Sequence, residues 1–338
     1  MFKFAQLQMR FWDTVLESYS NDQTWDIENE IVLEHTQLLL RRFNKGDSDS
    51  PAILVVPPNA GHHSNVAERL IGTYVETMPE RDVFGIEWTD ARGFNYSISD
   101  MISEIHACVE AAGGMVHIVG LCQGAWAGAI YTALYPDNII SYTNAAGPID
   151  FAAGDGKIKQ GCEILPLSFY HSMVCCGGGV QKGIHQVTGF KNLNFYDRYV
   201  GDYVDLWTAI FSNNEEQIAR WKKFKGWYEH TVDLNGEWYL EAVEKLFKGN
   251  QLIKGELEIL GQKVDLSNIT CPVFLLAGEN DDITLPEQIF NMEKYVKGPV
   301  CKYTIENAGH IGVFIKTASL EYWKTIMNFQ RELMSEAA

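Results

Sequence analysis

Four short apolar runs, at residues 52–56 (AILVV), 83–88 (VFGIEW), 116–119 (VHIV) and 272–277 (PVFLLA), restrict the possible folds of this chain more than any other feature. A continuous apolar run too short for a helix is the mark of a strand buried on both faces, as in a parallel sheet covered by helices. The intervening segments 64–77, 99–112 and 124–135 have helical character and can supply that cover. Alternation of this kind predicts βαβ units and an α/β fold, with a mostly parallel central sheet and helices on both faces. Residues 30–43 (EIVLEHTQLLLRRF) alternate and are rich in β-branched side chains, which predicts an edge hairpin, followed by a polar turn at 44–50. Segments 139–145 and 301–305 add strands, and a final helix begins near residue 318.

The pattern changes between residues 151 and 269, where aromatic-rich helical stretches such as NFYDRYVGDYVDLWTAIF replace the strand-like runs. This predicts a helical cap at 151–269 inserted into a core made of 1–150 and 270–338, with an N-terminal helix at 4–19 counted with the core. Within the cap, Cys175-Cys176 and the glycines at 177–179 form either an ordinary loop or a hinge.

The chain has 338 residues and a net charge of −17, which disfavours a polyanionic partner; no nucleic acid is expected to bind. No window approaches the roughly 18 apolar residues of a spanning helix, so no transmembrane segment is expected. The N-terminal MFKFAQLQMRFWDTVLESY reads as an amphipathic helix rather than a signal peptide. Seven cysteines, an odd number, suggest no disulfide framework. A reducing, cytoplasmic location is therefore expected.

Gly120-x-Cys122-x-Gly124 lies between a predicted strand and a predicted helix, the setting of a nucleophile elbow. There the small flanking residues avoid collision, and the helix N-terminus favours a thiolate. Its base is expected to be His310, in Asn307-Ala-Gly-His-Ile-Gly312 after the last predicted strand. His62, His63 and His171 are weaker candidates. The acid that orients the imidazole is expected in Gly278-Glu-Asn-Asp281-Asp282-Ile283, with Asp281 preferred and Asp282 as the alternative. The order nucleophile, acid, base is that of the α/β-hydrolases. Oxyanion donors are expected from the backbone of Gln123 and of Asn59, the first residue after Pro57-Pro58 to carry an N–H, with Ala60 as the fallback. No metal and no cofactor are expected: adjacent His62 and His63 lack further spaced ligands, and the glycine-rich pieces lack phosphate-loop spacing.

Over roughly residues 30–330 the chain resembles the intracellular polyhydroxyalkanoate (polyhydroxybutyrate) depolymerases and, less closely, the short polyhydroxyalkanoate synthases, both of the α/β-hydrolase superfamily. The depolymerase likeness rests on Trp88-Thr-Asp-Ala-Arg92, Ala146-Gly-Pro-Ile-Asp150, Asp233-Leu-Asn-Gly-Glu-Trp-Tyr-Leu240, Gly278-Glu-Asn-Asp-Asp-Ile283 and Gly309-His-Ile-Gly-Val-Phe314. Gly124, where the depolymerases commonly carry proline, and Asn250-Gln-Leu-Ile-Lys-Gly255 look more like the synthases. The resemblance implies an α/β-hydrolase fold and Cys122, Asp281 and His310 as the triad. The first expectation is a carboxylic ester hydrolase that cleaves a polyester or hydroxyalkanoate oligomer through a cysteine acyl-enzyme, with the surface of a storage granule as a further contact. An acyltransferase extending polyester from 3-hydroxyacyl-CoA, and a noncatalytic granule-associated binding protein, are the alternatives.

Overall fold

The computed structural model describes residues 2–20, 23–46 and 50–333, so part of the polar turn expected at 44–50 lies outside the described residues. Its centre is an eight-stranded sheet. The strands are β1 (Glu30–Glu34), β2 (Leu38–Asn44), β3 (Ala52–Val56), β4 (Val83–Trp88), β5 (Val116–Leu121), β6 (Ile139–Ala145), β7 (Val273–Gly278) and β8 (Val300–Ile305). They lie in the order β1-β2-β4-β3-β5-β6-β7-β8. The β1–β2 hairpin joins antiparallel to β4, and every pairing from β4 onward is parallel. After β3 the chain goes to one side for β4 and to the other for β5, which opens a crevice beyond the C-terminal ends of β3 and β5.

The central strands divide their apolar side chains between two cores. Ile53, Val55, Val119, Leu121, Phe274 and Leu276 point to one face; Leu54, Val56, Ile118, Leu275 and Ala277 point to the other. Period-two alternation thus fills both faces mainly with apolar residues; the exception in β5 is His117, buried with its Nδ1 2.8 Å from the Ser141 hydroxyl. The chain contributes helices α1 (Phe2–Tyr19), α2 (Glu68–Thr77), α3 (Ile98–Ala111) and α4 (Gln123–Leu134) before β6. α2 and the last helix, Leu320–Glu332, cover the first face through Leu70, Tyr74, Trp323 and Ile326, while α3 and α4 cover the second. The start of α3 is fixed by a reciprocal capping box between Ser97 and Asp100.

Between β6 and β7 the chain forms α5 (Lys157–Ile164), α6 (Leu167–Cys176), α7 (Gly183–Leu193), α8 (Asp202–Phe211) and α9 (Glu215–Glu229), then shorter helical pieces. Two segments wind as π-helix, Asp197–Gly201 and Ala242–Lys248. Two boundaries differ from the sequence expectation. α1 packs on α8 and α9 instead of the sheet, because the stripe containing Val15 finds an apolar partner in Leu206, Ala209, Ile210 and Ile218. From Leu234 onward the inserted segment rejoins the main core, where Trp238, Leu246, Leu252 and Ile269 are buried with the sheet residues. The glycine triplet makes an ordered turn: Gly178 and Gly179 take φ of 74° and 97°. They lead into Val180–Gln181, which pairs with Leu234–Asn235.

Candidate active site

Cys122 sits between β5 and α4 with φ 51° and ψ −115°, outside the regions that a side chain normally tolerates. The turn is held on both sides: the Cys122 N–H donates to the Ala145 carbonyl at 2.8 Å, and the Cys122 carbonyl accepts from the Ala125 N–H at 3.0 Å. The glycines of the motif are there for space. A Cβ on Gly124 would lie 1.9 Å from the Val56 carbonyl oxygen, and one on Gly120 would lie 2.3 Å from Ala125 Cα. Close approach of β3 and α4 therefore requires the bare backbone, and it leaves the Cys122 side chain half-buried at the mouth of the crevice.

The loops after β7 and β8 bring their two residues together. Asp281 Oδ2 lies 2.8 Å from His310 Nδ1. A carboxylate can only accept, so Nδ1 carries the hydrogen and Nε2 faces away from Asp281. Oδ1 of Asp281 accepts the backbone N–H groups of Ile283 and Thr284, each at 2.9 Å, which fixes the carboxylate plane. Burial works against a charged imidazole at His310, but the charge of Asp281, electrostatic interaction with Cys122 and hydrogen bonds to both raise it well above its ordinary value. Asp282 turns elsewhere: its Oδ2 pairs with Lys157 Nζ at 2.9 Å.

The remaining candidates separate clearly. Asn59 is buried and lines neither cavity described below, whereas Ala60 lines both. Gln123 follows Cys122 as the first residue of α4, where a backbone N–H has no intrahelical acceptor. His62 stacks on Trp227, with ring centroids 4.7 Å apart, and burial pushes it down to about 4, so it is neutral at physiological pH. His63 spends its Nδ1 accepting from the Asn65 N–H at 3.1 Å. His171 is exposed on α6. Among the described residues, no group of three or more His, Cys, Asp or Glu side chains could hold a metal, and no helix is long and apolar enough to cross a membrane.

Cys122 borders two cavities. One, of about 300 Å³, is lined by His310, Gly309, Arg198, Trp227 and Asp282; the other, of about 520 Å³, by Gln123, Trp126, Phe151, Trp238 and Phe247. The segment between β6 and β7 supplies most of the larger cavity's wall and gives the smaller one Phe190, Asn194, Arg198, Phe224, Trp227 and Tyr228. Arg198 and Lys157 escape a motif-based search because nothing in their local sequence marks them. Only the fold carries them to the site. Lys157 Nζ donates to the Leu193 carbonyl, Asn194 Oδ1 and Asp282 Oδ2 at 2.9, 2.8 and 2.9 Å, joining α5 and the end of α7 to the acid loop.

Solved structures share this architecture. The monoacylglycerol lipase of Paleococcus ferrophilus superposes with a TM-score of 0.55 at 15% identity, over 88% of this chain and 100% of that one. An esterase of Thermogutta terrifontis gives 0.52 at 15% identity, over 90% and 99%. The fold is that of the α/β-hydrolases. Among curated sequences, the chain is similar to the poly(3-hydroxyalkanoate) polymerase subunit PhaC of Haloarcula marismortui, 24% identical over 74% of this chain and 54% of the relative. It is also similar to the PhaC subunit of Synechocystis sp., 25% identical over 69% and 64%. The matched region thus spans between half and two thirds of these relatives' length. The family model described as PHB de-polymerase C-terminus matches residues 164–335, just over half of the sequence, and the chain belongs to that family.

Proposed function

We propose that this chain hydrolyses ester bonds of a 3-hydroxyalkanoate polyester or oligomer through a thioester on Cys122. The observation that carries the reading is the alignment of three strand ends: Cys122 on a strained turn after β5, and His310 held by Asp281 at 2.8 Å from the loops after β8 and β7. In the first step the Cys122 sulfur attacks the ester carbonyl, the C–S bond forms and the C–O bond breaks, and the His310 imidazolium gives its proton to the departing alkoxide. Water then adds to the thioester with His310 as base, the C–S bond breaks, and the acid leaves. Asp281 keeps the ring in the tautomer that serves both steps. The backbone N–H of Gln123 and one from the turn at Asn59 and Ala60 would meet the oxyanion, with Ala60 favoured by its place on both cavities. Apolar walls suit an uncharged polyester.

Two observations favour a second reading, transfer of the acyl group to another chain's hydroxyl: the PhaC names of the relatives, and the glycine at 124. One experiment separates the two. Amorphous polyhydroxybutyrate and 3-hydroxybutyryl-CoA are offered separately, with Cys122→Ala as control. Soluble hydroxy acid from the polymer supports hydrolysis. Release of CoA with growth of polymer supports transfer. Undiminished turnover in the alanine variant rules out the thioester in either case.

A further inference from the structure

The two cavities that meet at Cys122 are chemically unlike, and the reaction tells them apart. Resting on the hydrolytic reading above, the departing alkoxide must take its proton from His310. The leaving group therefore occupies the chamber that His310 lines, the smaller one. The acyl group that stays on the sulfur must then extend into the larger chamber, walled by Trp126, Phe151, Trp238 and Phe247, which His310 does not line.

Among the described residues lining the leaving-group chamber, Arg198 carries the one permanent positive charge. Its guanidinium is braced rather than loose: it lies over the rings of Tyr228 and Phe224 at 5.2 and 5.6 Å, and Nη1 is 3.6 Å from an Asp202 oxygen. The charge of Asp282 on the same chamber is already met by Lys157 at 2.9 Å. Arg198 belongs to the π-helical turn Asp197–Gly201, a distortion that recurs at functional sites. An uncharged ester chain gives no reason for a cation at this place. A departing hydroxy acid does, because its hydroxyl oxygen lies at the sulfur and its other end, when it is the last unit, is a carboxylate. Arginine is suited to that group through paired N–H donors.

We propose that Arg198 binds the terminal carboxylate of the leaving hydroxy acid, so that the enzyme works from the carboxyl end of short hydroxyalkanoate oligomers and sheds small hydroxy acids. The C–S bond forms as the terminal C–O ester bond breaks, the proton from His310 goes to the departing oxygen, and water later releases the shortened chain as a new carboxylate.

The test compares the linear trimer of 3-hydroxybutyrate with its methyl ester at the carboxyl terminus, following kcat/KM and products by chromatography. The expected result is at least a tenfold preference of the wild-type enzyme for the free acid, shrinking as salt is added. Arg198→Gln is expected to bring the ratio of the two substrates close to one, and Arg198→Lys to keep part of it. A ratio is insensitive to partial loss of folded enzyme. Equal cleavage of both substrates by the wild-type enzyme, or a preference that survives Arg198→Gln, overturns the proposal and leaves the hydrolytic reading standing. Cleavage of amorphous polymer but of neither trimer overturns the carboxyl-end proposal alone, and cleavage of neither trimer nor polymer removes both.

Discussion

His310 Nδ1 and Asp281 Oδ2 stand 2.8 Å apart although they reach each other from loops after two different strands. The neighbouring carboxylate of Asp282 is committed to Lys157. Asp281→Asn should keep the shape and lose the charge, so that the imidazolium is no longer favoured and the tautomer is no longer fixed. By analogy with the same change in serine triads, kcat/KM should drop roughly a thousandfold or more. Because Asp281 raises His310, its loss should also move the basic limb of the pH profile of kcat/KM to lower pH. Asp282→Asn should cost less than about tenfold. Steady-state kinetics of the two variants over pH decides the matter, and equal losses would reject Asp281 as the orienting group.

The elbow predicts a steric result that involves no charge. Gly124→Ala places a methyl group 1.9 Å from the Val56 carbonyl oxygen, too close for anything but a backbone shift of β3 against α4. Overpacking of this kind typically costs about 1–3 kcal/mol. The same shift displaces the N–H of Gln123, so activity should fall further than stability alone explains. Denaturant midpoints and turnover measured on one preparation test this. A variant as stable and as active as the wild type would show that the close approach is dispensable.

How much of this was visible in the sequence depends on whether a residue's role is local. The strands β3, β5 and β7 were legible because burial on both faces leaves AILVV, VHIV and PVFLLA apolar throughout except for His117, which is hydrogen-bonded to Ser141. Cys122 was legible because glycines 120 and 124 record a steric demand of its own turn. The pairing of His310 with Asp281 was an expectation from order and loop position, and the chain brings the two into contact. By contrast, the partner of α1 was not legible. Its apolar stripe shows that it needs a surface, but the choice of α8 and α9 over the sheet depends on tertiary placement. Arg198 and Lys157 were invisible for the same reason, since they meet the site only after helices far apart in sequence have packed.

Lys157 gives a prediction about motion. Its three hydrogen bonds tie α5, the end of α7 and the acid loop, yet both it and Asp282 are well exposed, with side chains 44% and 39% accessible. Exposed ion pairs contribute only about 0–1 kcal/mol. Lys157→Met should therefore leave the global unfolding midpoint nearly unchanged while loosening the local attachment. Hydrogen exchange should accelerate in α5 and α7 but not in β5 or β7. Uniform acceleration across the molecule would show instead that Lys157 supports the fold as a whole.

Two buried histidines make the folded state sensitive to acid, and the sign can be worked out. Burial lowers His62 to about 4 and His117 to about 3, below the ordinary value of 6.5 that they regain on unfolding. Between these values the unfolded chain binds protons that the folded chain refuses, so stability should fall as pH drops from about 6.5. At about 1.4 kcal/mol per pH unit, His62 alone would remove roughly 3 kcal/mol by pH 4. His310 acts in the opposite sense: its raised folded value contributes stability that is complete below about 6.5 and fades as pH climbs through that raised value. His62→Phe retains a ring against Trp227 and removes the titrating group, so its stability should decline less steeply from pH 6.5 to 4. Guanidinium melts at closely spaced pH values measure both slopes, and parallel slopes for variant and wild type would exclude His62 as the acid-sensitive group.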